Sequence, residues 1–85
     1  MQANEAFDTL TGEARREAIA DIARTASVSD GFAKQVLLGV RTHPCSAAMS
    51  EVVSTWFRGR GIEVSPAEAT GIREATDDRT TAAAA

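Results

Sequence analysis

"RTHPCSAAMSEVVSTWFRGRG", residues 41–61, is the stretch on which the fold turns. Placed at intervals of about 100°, Cys45, Ala48, Met49, Val52, Val53, Trp56 and Phe57 gather on one half of a cylinder. Ala47, Ser50, Glu51, Ser54, Thr55 and Arg58 take the other half. The pattern predicts an amphipathic helix. Thr42 or His43 is its expected cap, Pro44 suits the first turn because its missing N–H would have had no partner there, and Gly59 or Gly61 ends it. A helix with so apolar a half is the expected centre of the core.

Upstream, the spacing predicts helix from about Asn4 to Ala26 with an interruption at Thr11-Gly12. Thr11 can cap the longer part, in which Ala14, Ala18, Ile19, Ile22, Ala23 and Ala26 share one arc. Glu13, Arg16, Glu17, Asp21 and Arg24 form the solvated side. Phe7 and Leu10 precede the break, as a short opening helix or as a lid on the core. "SVSD", residues 27–30, ends this segment and starts the next, with Ser27 or Ser29 as cap and Asp30 near the positive helix end. Between Gly31 and Arg41, Phe32, Ala33, Val36, Leu37 and Val40 share a face. Leu38 falls instead among Lys34, Gln35 and Arg41, which makes it either a second buried side or an exposed contact residue.

Downstream, "VSPAEATGI", residues 64–72, carries a capping box: Ser65 as cap, Pro66 first, Glu68 third, with Val64 and Ala69 as the apolar staple. A weak helix interrupted by Gly71 is expected there, docking through Ile62, Val64, Ile72 and Ala75. The reading is all-α: a compact bundle of four to five short helices, with residues 1–76 as a single helical domain and residues 77–85 as a frayed tail. Eighty-five residues hold one core, and a domain of this size buries only a little over about 60% of its unfolded surface. A partner or a second copy would add to that burial.

Composition narrows the chemistry. The single Cys45 excludes an intrachain disulfide, and one histidine, His43, leaves too few ligands for a zinc site within the chain. No cofactor or metal is expected. No run approaches the roughly 20 apolar residues of a membrane span, and the start of the chain lacks a basic region followed by an apolar one. A cytoplasmic protein with no membrane partner is the corresponding expectation. "RGRG" lacks the spacing and lysine of a phosphate loop. Cys45 near Arg41 and His43 could be an activated thiol, but its place on the apolar arc favours a packed cysteine. No enzyme is expected.

Charge is unevenly spread. The net charge of −3 divides into −3 for residues 1–30 (three basic, six acidic), +3 for residues 31–61 (four basic, one acidic) and −3 for residues 62–85 (two basic, five acidic). Lys34, Arg41, Arg58 and Arg60 are therefore the candidate phosphate contacts of a small helix-turn-helix DNA-binding regulator, with "GVRTHPC" as the turn. The outward face of the next helix, however, holds no arginine placed for a base edge. The bland reading is charge alternating between neighbouring helices.

The leading expectation is a non-catalytic module for protein interaction or self-association, through Leu38, Phe57, Phe7 and Leu10. Of the adjacent aromatics, Phe57 lies at the edge of the apolar arc and is the one expected to be exposed. DNA binding is the alternative. Residues 59–75, a glycine-rich turn followed by "GIEVSPAEATGIREA", look like the helical leaders of some ribosomally made, enzymatically modified peptides. That resemblance implies a precursor role; an accessory subunit serving a partner enzyme is a further alternative. The chain departs from such precursors in having no double-glycine site and no cysteine in its tail.

Overall fold

The structure is a computed structural model that describes residues 1–72, and all of its regular structure there is helical. Helices α1 (Ala3–Asp8), α2 (Gly12–Ala26), α3 (Asp30–Leu38) and α4 (Ala47–Arg58) are followed by a single 3-10 turn, Pro66–Glu68. Ala75 and the tail 77–85 lie outside the described residues. The all-α bundle read from the sequence is the fold observed.

The starts of α2 and α3 follow the sequence. Thr11 caps α2 by accepting the Ala14 N–H at 3.1 Å, and Ser29 caps α3 through the Phe32 N–H at 3.1 Å. The break before α2 lets α1 fold back: Arg15 donates to the carbonyls of Phe7 (3.2 Å) and Asp8 (2.8 Å), satisfying the end of α1. Ser27 ends α2 in the left-handed region (φ 59°), so only Ser27, Val28 and Ser29 separate α2 from α3.

The start of α4 departs from expectation. Ser46, not Thr42 or His43, is the cap, accepting the Met49 N–H at 3.1 Å, and Pro44 lies in the preceding loop. Proline disfavours helical geometry in the residue before it, so His43 is a poor place to begin a helix. The loop backbone is meanwhile bonded elsewhere: the Arg41 N–H reaches Gly71 O at 3.0 Å and the Cys45 N–H reaches Thr70 O at 2.9 Å. Val40 and Ile72 form an isolated antiparallel bridge beside them.

α2 lies against both α3 and α4, α1 covers α3 and touches α4, and the 3-10 turn sits on α4. Ile22, Val36, Leu37, Val53 and Phe57 are at most 1% exposed, each contributing about 1.5–3 kcal/mol through burial. Phe7, on α1, is also core at 3% exposed. The buried line of α4 is Met49, Ser50, Val53, Ser54 and Phe57, rotated from the apolar arc of the sequence. Ser50 and Ser54 belong to it because their hydroxyls donate to Ala69 O (3.0 Å) and Val64 O (2.6 Å).

The expected closing helix is only one 3-10 turn. Its capping residues are in place, with Glu68 Oε1 accepting the Ser65 N–H at 3.0 Å and the Ser65 hydroxyl at 3.1 Å. Beyond Ala69 the chain turns away through Gly71 (φ 90°) to pair with the 40–45 loop. Val64 and Ala69 are buried, while Ile62 is partly buried against the core. A Cβ on Gly71 would lie 2.9 Å from Arg41 Cδ and 3.3 Å from Val36 Cα.

Two substitutions test this closure. Gly71→Ala forces a side chain into a left-handed position and against Arg41, and is expected to lower unfolding free energy by about 1–3 kcal/mol in urea titration. Ser54→Ala leaves the Val64 carbonyl unpaired in the core and is expected to cost about 1–3 kcal/mol in the same measurement.

Candidate functional site

The rotation of α4 leaves part of its apolar arc uncovered. Val52 and Trp56 are only partly buried and Ala48 is exposed, so a line at i, i+4, i+8 opens toward α2. Two adjoining depressions lie along it. One, of about 410 Å³, has Val28, Phe32, Arg41, Pro44, Cys45 and Ala48 in its walls. The other, of about 280 Å³, lies between Thr25, Glu51, Val52, Thr55 and Trp56. Thr25 and Val52 border both, so the two depressions adjoin and are described together as a groove.

Each end is fixed by an arginine lying on an aromatic ring. The Arg41 guanidinium is 4.6 Å from the Phe32 ring centre, and its Nε donates to His43 O at 3.1 Å. At the other end Arg60 is 4.8 Å from the Trp56 ring centre and 3.6 Å from Glu17. Trp56 is held edge-on to Phe57, with ring centres 5.2 Å apart, and donates its Nε1–H to Asp21 at 3.2 Å. Asp21 also accepts from Arg24 at 2.7 Å. The hydrogen bond from Arg24, then that from Trp56, hold the Asp21 carboxyl below the ordinary aspartate value, against a smaller desolvation effect.

The residues proposed from sequence are distributed differently. Phe57 is fully buried and Trp56 partly exposed, the reverse of the expected order, because Ser54 and Ser50 turn that side of α4 inward. Phe7 is likewise closed off beneath α1, while Leu10 is partly buried against the core. Leu38 is partly buried too, whereas Val40, expected on the core face, is 58% exposed. α3 stops at Leu38 and Gly39 takes the left-handed position, so Val40 leaves the helical register.

The four candidate cations have different surroundings. Arg41 lies on Phe32, Arg60 on Trp56, and Arg58 reaches the Ser54 hydroxyl at 3.4 Å, while Lys34 is exposed on α3. The loop "GVRTHPC" is also too long for a tight helix pair, with Gly39–Ser46 separating α3 from α4.

Cys45 is partly buried in the groove wall, its Sγ 3.4 Å from both Ser50 Oγ and Ala69 O. His43 Nδ1 lies 3.2 Å from the Thr42 hydroxyl. Among the described residues no group of three or more His, Cys, Asp or Glu side chains is placed to hold a metal ion. No helix of the described residues is long and apolar enough to cross a membrane.

Comparison with known protein families, curated proteins and solved structures finds no match to this chain. The groove was not legible as a site because its residues come from four separate segments. The available signal was the breadth of the apolar arc on α4, wider than one neighbouring helix can cover.

Asp21 gives the groove an optical reporter. Because its pKa is depressed in the folded state, the stabilisation is complete above the unfolded value and lost as the pH falls through the folded one. Trp56 emission is therefore expected to change on acidification with a midpoint below the ordinary aspartate range. In Asp21→Asn that transition should be absent.

Proposed function

We propose that this protein is a non-catalytic binding module that seats an amphipathic helix of a partner protein in the groove along α4. One observation carries the reading: two adjoining apolar depressions lie open between packed helices, walled by Val28, Phe32, Cys45, Val52 and Trp56. Helix-in-groove recognition uses such a surface, with apolar side chains at i, i+4 and i+7 entering successive depressions. α4 spans 12 residues, about 18 Å at 1.5 Å per residue, which matches three turns of a partner helix.

A different protein suits the groove better than a second copy. Among the described residues the exposed large apolar side chains are Met1 and Val40, and neither belongs to a helix. The described residues of a second copy thus offer no exposed large apolar side chain on a helix, and two concave faces do not fill each other. Arg41 and the N-terminus of α4 make the wider end electropositive, so the partner helix should carry a carboxylate there.

Selection of helical peptides from a display library against the full chain tests this reading. The expected winners share apolar residues at i, i+4, i+7 and an acidic residue at one end. They should perturb Trp56 emission and protect Cys45 from alkylation. Ala48→Arg, which places a charge on the exposed floor without touching the core, should reduce their affinity at least about tenfold, the equivalent of about 1.4 kcal/mol. Selected peptides that leave Trp56 and Cys45 unaffected, or that bind Ala48→Arg equally well, would overturn it.

A further inference from the structure

The chain leaves the described bundle beside the wider end of the groove. The Thr70 carbonyl accepts the Cys45 N–H at 2.9 Å, the Gly71 carbonyl accepts the Arg41 N–H at 3.0 Å, and Val40 and Ile72 form the bridge next to them. Arg41 and Cys45 both stand in the wall of the wider depression, with Phe32, Pro44 and Ala48. The Arg41 side chain passes close to Gly71, since a Cβ there would lie 2.9 Å from Arg41 Cδ. Residues 73–85 are therefore tethered at the rim of the groove, and their concentration over it is set by the tether rather than by dilution.

Their sequence, "REATDDRTTAAAA", has the chemistry that this end of the groove selects. Three acidic and two basic side chains leave the segment net negative, and Asp77 and Asp78 stand five and six residues beyond Ile72. Five residues span at most about 17 Å, and Arg41 starts within contact of Gly71, so both carboxylates come within reach of its guanidinium. After Arg79 the segment holds only threonine and alanine. Side chains of that size bury little apolar surface each, so their contact with the depression is weak. Weak contact suffices for a tethered occupant, because a short flexible tether supplies an effective concentration of about a millimolar.

We propose that residues 73–85 are an intramolecular cover for the groove, in which Asp77 and Asp78 pair with Arg41 and residues 80–85 lie over the wider depression, across Cys45 and Ala48. The inference rests on the reading of the groove as the seat of a partner helix, and it makes partner binding a competition. A segment with a free dissociation constant of about 0.5 mM, held at about 1 mM, covers the groove about two thirds of the time and weakens partner binding about threefold. A partner helix displaces it by bringing larger apolar side chains together with a carboxylate of its own.

The single cysteine makes the cover measurable in the full chain, because Cys45 lies in the wall that is protected. Alkylation of Cys45 by iodoacetamide is compared between the parent and Asp77→Lys/Asp78→Lys, at low salt and at about 1 M salt, where the screening length falls to about 3 Å. At low salt the variant is expected to react about threefold faster than the parent and to bind peptides selected on the groove about threefold more tightly. At high salt the parent should approach the rate of the variant. Replacing residues 77–85 by a glycine–serine repeat of equal length should give the same rise without adding charge, and circular dichroism reads whether each variant keeps its helices. Equal low-salt rates in the parent and both variants would overturn the proposal. So would protection of Cys45 that rises with protein concentration, which would put a second copy's segment on the groove. The two readings fail separately: rates that depend on residues 77–85 with no selected peptide bound would remove the partner site alone. Peptides that bind the parent and both variants alike, through Ala48, would remove the cover alone.

Discussion

Two serine hydroxyls set the arrangement of this small bundle. Ser54 Oγ donates to Val64 O and Ser50 Oγ to Ala69 O, one turn apart on α4, and together they hold the segment after α4 against the helix. Alone, a serine on an apolar helix face is unfavourable, because its hydroxyl must be satisfied away from water. Here each finds a carbonyl that regular structure does not use, so two polar requirements cancel. Satisfying them turns α4 about its axis. Met49, Val53 and Phe57 go into the core, and Ala48, Val52 and Trp56 are carried to its edge. The groove results from that rotation, since α2 is too narrow to cover what remains of the apolar arc.

This is also why some features could be read from the sequence and others could not. Thr11, Ser29 and the capping residues Ser65 and Glu68 were legible because capping is local: a hydroxyl or carboxylate reaches an N–H within three residues. The break between α1 and α2 was legible for the same reason. Ser50 and Ser54 were read as solvent-facing because a wheel knows nothing of carbonyls 19 and 10 residues away. Ser46 displaced Thr42 and His43 as the cap of α4 because the loop backbone bonds to Thr70 and Gly71, a pairing no periodicity announces. The exchange of Leu38 and Val40 has the same origin, since the helix ends at Gly39 rather than continuing to Arg41. For the candidate site, aromatic and basic residues were recognised, yet which aromatic faces outward depended on a rotation fixed by tertiary hydrogen bonds.

Arg41 is where these threads meet. Its side chain lies flat on Phe32, its N–H holds Gly71, and its Nε holds the carbonyl of His43. It thus fixes the loop that forms one wall of the groove. A guanidinium on an aromatic face keeps part of its charge available at the open side, because the ring quadrupole attracts the cation without neutralising it. A carboxylate entering the groove would therefore meet a cation whose side chain is already ordered, so little conformational entropy would be lost on pairing.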